Sequence, residues 1–499
     1  MSLLIFSFWI FILFYVIFFY VNRKIFKFAW NNKGFFLPIL PVIGTTWISL
    51  ITGKKPSLLA IANWIYEYIG GPSINFWIGH TYHYVTLDAD EIRIVLSHPK
   101  CLDKSSIYND VQNVFGKNSI AFIAQEKWKA RRKHFIKGFK PIILRSFMGK
   151  FHNYSCKLLE ELEGLNGALV SFDVMHTFVF TTFCATALGL DVNKFANELA
   201  EFGNLRAKIE EALTAKVLNP LIPYSIWINF FPNGRKTAVY MKRSNTIIEK
   251  IIRERKTELE KNQDYIANSN EVPLLDLILS NDQKMTTDEQ IFEELVLFTS
   301  AAVESTSFVL YLGFTILAMH PDIQEVLLNE VITEIGDRDI SSNNIGYLKY
   351  TEATLCEIMR FLPVVPFIAR ITGDDIDVGN KVIPKGVDFV VDIWHLHRVP
   401  EYWKNPEKFD PTRFLPENLD KIKPCSYMPF SQGPRDCIGK HHAMALLKIT
   451  FANVIRNFKI TTRHKSVDEF DLGSAVTLYS AKPIDLHFVT RTKSSTKSQ

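Results

Sequence analysis

The sequence lacks the features that divide a chain into separate units or cross-link it. No internal repeat and no long Pro/Gly/Ser-rich linker interrupts its 499 residues, although that length alone would allow several domains. Its six cysteines have no paired spacing, which indicates a reducing compartment rather than a disulfide framework (Cys101, Cys156, Cys184, Cys356, Cys425 and Cys437). A formal net charge of +5 is small for this length and gives no reason to expect nucleic-acid binding. The sequence also shows no nucleotide-binding loop.

The sequence is instead rich in apolar residues, which make up 47% of the chain, and Leu3 to Val21 form an almost unbroken apolar run. As a helix this run would span roughly 28 Å, close to the hydrocarbon thickness of a bilayer. A cleaved signal peptide is disfavoured, because the run is long and lacks both a basic leader and a small-residue cleavage site. Basic residues follow the run and, by the positive-inside rule, keep the rest of the chain cytosolic (Arg23, Lys24, Lys27 and Lys33).

From this pattern we expect residues 1–22 to form a single-pass transmembrane anchor in the endoplasmic reticulum membrane. The following residues 23–45 are basic and contain Pro38, Pro41 and Gly44, so we expect them to form a hinge.

Near the C-terminus one cysteine stands between two glycines, in the stretch Phe430-Ser431-Gln432-Gly433-Pro434-Arg435-Asp436-Cys437-Ile438-Gly439. Gly433 allows a tight turn, and Gly439 lets a helix begin close to a flat ligand. The N-terminus of that helix favours a thiolate at Cys437. Arg435 can pair with a carboxylate, and Phe430 can shield the sulfur from water. This setting fits the axial ligand of a haem iron.

The stretch resembles the haem-binding loop of the cytochrome P-450 superfamily. The resemblance implies a mainly α fold with a smaller β-rich part, a catalytic domain over residues 46–489 and a disordered tail over residues 490–499. It also implies a haem b (iron protoporphyrin IX) whose iron, the metal of the site, is ligated by the thiolate of Cys437. Phe430, Gly433, Arg435 and Gly439 would complete that part of the cofactor site.

Three more residues resemble cofactor-binding positions of this family. Trp128 and Arg132 lie one helical turn apart, as in the family's W-x-x-x-R, so both side chains can donate to one haem propionate. Arg370 matches a position where many members place another propionate-binding arginine.

Glu357 and Arg360 match the family's E-x-x-R, and Arg413 resembles the third member of the same network. Residues three positions apart share a helix face and can form an ion pair. The resemblance implies that this network is buried and that its role is structural.

A long helix is predicted to begin at Thr287, which can form a capping box with Gln290, and to end near Met319. The next residues, His320 and Pro321, open a new helix with proline in its first turn.

Within this helix, the stretch Phe298 to Ser307 resembles the family's A-G-x-[DE]-T-T segment, which crosses the distal face of the haem. Glu304, Ser305 and Thr306 are therefore expected to be catalytic, as an acid followed by alcohols that relay protons. Ala302 replaces the usual glycine. Ser305 replaces the usual threonine, so its hydroxyl lacks the β-methyl group that restricts the rotamer, and uncoupling to peroxide is expected to rise.

The stretches 363–370, 401–409 and 433–439 most resemble the fatty-acid ω-hydroxylase-like clan of animals, especially its insect members. Many members of that clan esterify haem through a glutamate at the position of Ala301, so alanine implies a non-covalent haem. The resemblance also implies a mostly apolar substrate pocket, formed by Phe298, Ala301, Ala302, Val364, Val365, Phe367 and Val476.

The resulting hypothesis is a membrane-anchored haem-thiolate monooxygenase that inserts one oxygen atom from O2 into a lipophilic substrate. Electrons would come from NADPH through the flavin of NADPH–cytochrome P-450 reductase, with cytochrome b5 as a candidate second donor. Basic residues on the cysteine side would steer that partner (Lys129, Arg131, Lys133, Lys421, Lys423 and Lys440). Two alternatives stay open: a haem-thiolate isomerase or dehydratase acting on a peroxide, and a non-catalytic haem- or lipid-binding membrane protein.

Overall fold

The structure is a computed structural model that describes residues 2–32, 57–68, 71–78, 81–217, 222–261, 273–280, 287–474 and 476–491. Most of the predicted hinge, from residue 33 to 45, lies outside the described residues, as do residues 492–499 of the predicted tail. The described part is mainly helical with a smaller share of strands, as the sequence predicts.

The helices differ widely in length, and the longest of those described run through the body of the protein. In chain order they are α1 (Ser2–Val21), α2 (Arg23–Asn31), α3 (Leu58–Tyr68), α4 (Ala89–Ser97), α5 (Asn109–Phe115), α6 (Gln125–Phe135), α7 (Pro141–Gly164), α8 (Phe172–Thr186), α9 (Ala196–Val217), α10 (Tyr224–Phe230), α11 (Pro232–Lys261), α12 (Leu274–Ser280), α13 (Asp288–Met319), α14 (Pro321–Glu334), α15 (Lys349–Phe361), α16 (Ile393–Leu396) and α17 (Lys440–Asn457).

The strands form one four-stranded sheet and several two-stranded ribbons. They are β1 (Ser73–Ile78), β2 (Thr81–Thr86), β3 (Phe367–Ile371), β4 (Ile376–Asp377), β5 (Val382–Ile383), β6 (Asp388–Asp392), β7 (Phe458–Thr461), β8 (Leu472–Ser474), β9 (Leu478–Ser480) and β10 (His487–Thr490). The larger sheet has the order β1-β2-β6-β3, in which β2 and β6 are parallel and the other neighbours antiparallel. The ribbons pair β10 with β7, β4 with β5, and β8 with β9.

Helix α13 is the central element of the fold and has the predicted bounds. The hydroxyl of Thr287 accepts from the backbone N–H of Gln290 at 3.3 Å, and the side chain of Gln290 accepts from the backbone N–H of Thr287 at 3.0 Å, which confirms the capping box. By length and hydropathy α13 could also cross a membrane. It is mostly buried inside the protein, so we interpret it as a core helix.

The main core packs α13 between helices α8 and α17, with large apolar side chains in direct contact. Phe314 stacks on Phe451 of α17, with the ring centroids 4.4 Å apart. A Cβ atom at Gly313 would lie 2.8 Å from the ring of Phe451, so this close approach requires glycine. The site described below therefore lies on a rigid helix.

Helix α2 lies within the segment predicted as a hinge and packs against the four-stranded sheet. Phe26 stacks on Trp77 of β1 with ring centroids 5.0 Å apart, and Phe28 is buried. Lys24 forms an ion pair with Asp375 at 2.8 Å. The first part of the predicted hinge is therefore a helix held against the sheet.

The predicted Glu357–Arg360–Arg413 network is present and centres on α15. Arg360 donates to both carboxylate oxygens of Glu357, at 2.7 and 2.8 Å. Arg413 Nε lies 3.5 Å from Glu357 Oε1, and the backbone N–H of Asp410 donates to the same oxygen at 2.8 Å. Glu357 and Arg360 are both fully buried, so the pair has no water to replace a lost partner.

His397 connects this network to the cysteine loop. Arg360 donates to the carbonyl oxygen of His397 at 2.9 Å, and the backbone N–H of Met428 donates to His397 Nε2 at 3.0 Å. Nε2 is thus an acceptor, and the hydrogen bonds assign the proton to Nδ1, which lies 3.2 Å from the carbonyl oxygen of Arg360. Burial and the charge of Arg360 lower the pKa of His397 to about 3, so the ring is neutral.

Replacing Glu357 with alanine is expected to destabilise the fold by about 3–5 kcal/mol, because it leaves the charge of Arg360 buried and uncompensated. The variant should also fail to retain haem, since His397 and Met428 lose their anchor. Chemical denaturation and the haem-to-protein absorbance ratio measure the two effects.

Glu201 of α9 provides the control, because it pairs with Arg243 at 2.6 Å and both side chains are exposed. Glu201→Ala should cost less than about 1 kcal/mol and leave haem bound. Equal effects of the two substitutions would contradict the structural role of the buried network.

Candidate active site

A cavity of about 1980 Å³ lies beneath α13, and its wall is mainly apolar. Helices α6, α8 and α9 and strand β3 contribute side chains to it, together with the loop that contains Cys437. The size exceeds that of an ordinary small-molecule pocket, so the cavity can hold a large flat cofactor and a substrate together.

The cysteine loop is held in an irregular but well-defined conformation. The backbone N–H of Cys437 donates to the carbonyl oxygen of Phe430 at 2.9 Å, which closes the loop. Gly433 has a φ of +78°, and a Cβ atom there would lie 2.3 Å from the carbonyl oxygen of Leu96. Glycine is therefore required at this position for two independent reasons. Gly439, two residues after the cysteine, is the N-cap residue of α17.

The thiol of Cys437 lies deep in the protein and is exposed to the cavity. Burial raises the pKa of Cys437, whereas backbone N–H groups of Gly439 and Lys440 at the start of α17 oppose that shift. A thiol that faces a cavity from a helix N-terminus can bind a metal ion as a thiolate.

Cationic side chains gather beside this thiol. Arg370 and Arg435 are buried, and Arg435 Nε has no hydrogen-bond partner in the described part of the chain. Trp128 is also buried, and the guanidinium carbon of Arg435 lies 4.6 Å from the centre of its ring. Arg132, on the same helix as Trp128, donates to the carbonyl oxygen of Asp436 at 2.7 Å. All four predicted residues line the cavity, so the structure brings them together.

Lys104 belongs to the same cluster and was not predicted. It faces the cavity, and its Nζ lies 4.9 Å from the centre of the Tyr108 ring. Burial and the nearby charges of Arg370 and Arg435 lower the pKa of Lys104 well below its usual value. Lys104 lies in a loop, and no local sequence pattern indicates where such a side chain points.

The cluster contains more positive than negative charge. Burial lowers the pKa of Arg435 to about 9 and also lowers that of Arg370, and the two guanidinium groups repel each other. The nearest carboxylates are Asp436 beside Arg132, and Asp103 at 3.9 Å from Arg435. A ligand with two carboxylate groups would compensate the excess. The residues present therefore fit the propionates of a haem whose iron binds Cys437.

The predicted segment of α13 also lines the cavity. Ala301, Ala302, Glu304, Ser305 and Thr306 all line the cavity, so the acid and the alcohols share the space with Cys437. The hydroxyl of Ser305 donates to the carbonyl oxygen of Ala301 at 2.7 Å, which orients it within the helix.

The predicted substrate pocket agrees with the lining except at one position. Phe298, Val364, Val365 and Val476 line the cavity, whereas Phe367 does not. Ile368 lines it instead, because neighbouring residues of strand β3 face opposite sides of the sheet. Helix α8 also contributes side chains to the cavity wall, and no sequence pattern predicted this contribution.

One of the predicted partner-binding residues is buried rather than exposed. Arg131 pairs with Glu294 of α13 at 3.0 Å, and both side chains are buried. Lys129, Lys133 and Lys440 are exposed, as expected. The spacing of the basic residues could not show that Arg131 is the buried one, since the basic run covers every face of α6.

Comparison with known proteins agrees with this geometry. The family model for cytochrome P450 matches residues 41–488, which is most of the chain. The chain belongs to the cytochrome P450 family. That membership makes it a haem-thiolate monooxygenase.

Relatives of this cytochrome P450 occur in insects and vertebrates. Human cytochrome P450 4V2 is 27% identical over 444 residues, which are 85% of this chain and 83% of the human protein. Cytochrome P450 4p1 of Drosophila melanogaster is 29% identical over 442 residues, with the same shares of both chains. Probable cytochrome P450 4p3 of the same fly is 30% identical over 393 residues, 76% of each chain. These relatives agree with the predicted insect-like clan.

Replacing Lys104 with methionine is expected to weaken haem retention by about tenfold or more, because a hydrogen bond to a charged partner contributes about 1.5–3 kcal/mol. The rate of haem transfer to an excess of an acceptor apoprotein measures the effect. Lys100→Met, an exposed position in the same loop, is the matched control. Identical transfer rates for the two variants would remove Lys104 from the cofactor site.

Proposed function

We propose that this cytochrome P450 is anchored in the endoplasmic reticulum membrane and oxygenates a lipophilic substrate with electrons from NADPH, delivered by a flavin-containing reductase. The observation that carries the proposal is the arrangement around the cavity. Cys437 and the cluster of cations line the same cavity as Glu304 and Ser305 of α13. Such an arrangement serves dioxygen chemistry, because it combines a thiolate-held haem with a protein source of protons.

Each group would have a separate task in the reaction. When bound, haem supplies the activation of O2 and the insertion of one of its oxygen atoms into a C–H or C=C bond, while the other atom leaves as water after taking up two electrons and two protons. Cys437 would ligate the iron, and Arg132, Arg370, Arg435 and Lys104 would hold the propionates. Glu304 would hold a proton at the cavity wall, and the hydroxyl groups of Ser305 and Thr306 would help to pass it on.

A lipophilic substrate is supported by the composition of the wall above the haem position. Aromatic side chains of α8, including Phe172, Phe180 and Phe183, face the cavity together with Val364 and Ile368. Burial of apolar surface would dominate the binding of a substrate here, so polar groups of the wall would orient rather than attract it.

Membrane attachment is supported by α1 and by a second apolar patch. Helix α1 has 20 residues, enough to span roughly 30 Å, and large apolar side chains such as Phe6 and Trp9 are exposed. In α10, Trp227 is buried but Phe230 is 74% exposed. Both features suit contact with a bilayer, through which a lipophilic substrate would arrive.

The reductase would bind on the cysteine side, where Lys129, Lys133 and Lys440 are exposed. Arg132 joins α6 to the cysteine loop through Asp436, so these lysines belong to one side of the molecule. An acidic flavoprotein would be steered to this surface, and cytochrome b5 is proposed as a second donor there.

Carbon monoxide added to the dithionite-reduced protein is expected to give the strongly red-shifted Soret band of a thiolate-ligated haem. Cys437→Ser should abolish that band, and Cys356→Ser, which removes a cysteine away from the cavity, should keep it. A wild-type protein without the shifted band would overturn the proposal. Turnover that proceeds with a peroxide but without NADPH and reductase would favour the isomerase or dehydratase.

Ser305→Ala is expected to raise the peroxide released per NADPH consumed, because the cavity then lacks a hydroxyl group next to Glu304. Ser307→Ala is the matched control, since Ser307 makes the same type of bond, to the carbonyl oxygen of Val303 at 2.6 Å, but is buried away from the cavity. An unchanged ratio in Ser305→Ala would assign the proton transfer to Thr306 or to water.

A further inference from the structure

Helix α9 brings a second carboxyl group, that of Glu210, into contact with Glu304. No sequence pattern predicted this contact. The carboxyl groups of Glu210 and Glu304 are within hydrogen-bonding distance of each other. Glu210 also faces the cavity, so the two side chains meet at the cavity wall rather than in the core. Two carboxyl groups can form a hydrogen bond only when one of them carries a proton.

Arg206, one turn before Glu210 on α9, holds this pair in place. Its Nε donates to the hydroxyl of Ser300 on α13 at 3.0 Å, and its Nη2 lies 3.6 Å from Glu210 Oε1. Arg206 is buried. The guanidinium therefore links the two helices one turn before Glu304 and supplies a single positive charge.

The other titratable groups near Glu304 come from α8. His176 Nε2 lies 3.9 Å from Glu304 Oε2, and burial lowers the pKa of His176 while Asp173 opposes the shift. The imidazole is therefore neutral near pH 7 and adds no charge to the group. The site consists of one guanidinium and two carboxyl groups in a poorly hydrated setting.

The charge count favours one specific protonation state. With both carboxyl groups ionised, the buried group would carry one uncompensated negative charge; with one proton shared, it is neutral. Burial raises the pKa of both carboxyl groups, the charge of Glu210 raises that of Glu304 further, and Arg206 opposes both shifts. Two neighbouring carboxylates repel each other, so the doubly ionised state is disfavoured.

We propose that Glu210 is a positioning residue that shares one proton with Glu304 and so keeps Glu304 able to donate at neutral pH. This inference rests on the proposed function, because the proton is useful to an oxygenation at the distal side of the haem. In the donating step the O–H bond of Glu304 breaks and a new O–H bond forms on a water molecule in the cavity, which passes one of its own protons on. The pair is left with one negative charge beside Arg206, and water in the cavity returns the proton.

The sharing of the proton can be measured without turnover. Infrared difference spectra of the haem-loaded full-length protein, recorded in H2O and D2O near pH 7, should contain a carboxylic acid C=O band in the wild type. Glu210→Gln and Glu304→Gln should each abolish that same band, because removal of either partner lets Arg206 hold the other as a carboxylate. Glu211→Gln, the next and exposed residue of α9, should leave it unchanged.

A band that survives in Glu210→Gln would overturn the proposal, since Glu304 would then hold its proton alone. The wild-type band should also persist between about pH 6 and pH 8, because the shared proton has a raised pKa. Loss of the wild-type band within that pH range would overturn the proposal, and this test does not depend on any variant. The carbon monoxide spectrum reports whether each variant has folded.

Turnover provides a second readout that a purely structural role would not give. In Glu210→Gln the peroxide released per NADPH should already be several-fold higher than in the wild type at about pH 7, because Glu304 has lost its proton, and should fall as the pH is lowered and Glu304 is protonated again; the wild-type ratio should stay flat between about pH 6 and pH 8. A wild type that forms no product with NADPH and reductase would refute the proposed function but leave the infrared result intact. The two failures are therefore distinguishable.

Discussion

The buried ion pair between Glu357 and Arg360 is the constraint on which the active site depends. Neither charge has access to water, so the pair is stable only with all its partners in place. Arg360 binds the carbonyl oxygen of His397, and His397 accepts from the backbone of Met428, where the cysteine loop begins. The loop has no regular secondary structure of its own. Its shape is therefore imposed through hydrogen bonds that start at two buried charges.

The cavity is also lined by two groups of ionisable side chains, and each group has an excess of one sign of charge. Beside Cys437, Lys104, Arg370 and Arg435 leave an excess of positive charge, and burial lowers their pKa values. On the α13 side, Glu210 and Glu304 provide two acids for one cation, and burial raises their pKa values. An anionic ligand resolves the first imbalance, and a proton resolves the second. The same physical cause, poor hydration, thus prepares one side for a cofactor and the other for proton transfer.

The sequence predicted the parts of the structure that local rules determine. The bounds of α13 follow from the capping box at Thr287, and the Glu357–Arg360 pair follows from helical spacing. The missed residues, Lys104, Arg206 and Glu210, reach the site through tertiary packing. Which face of α9 meets α13, and where a loop side chain points, depend on the whole core. Arg131 was predicted to be exposed but is buried against Glu294, because a run of basic residues does not reveal which of them faces the core.

The replacement of threonine by Ser305 has a different consequence in the folded protein than the sequence alone indicates. A serine lacks the β-methyl group that limits threonine to few rotamers, so its hydroxyl is expected to be less ordered. Here the hydroxyl donates to the carbonyl oxygen of Ala301 at 2.7 Å, and this bond restricts the rotamer instead. The hydroxyl proton is then engaged in a hydrogen bond within the helix, while the lone pairs of the hydroxyl oxygen can still accept a hydrogen bond. Ser305 is therefore suited to receive a hydrogen bond from a neighbouring donor, which makes the protonation state of Glu304 the decisive variable at this wall of the cavity.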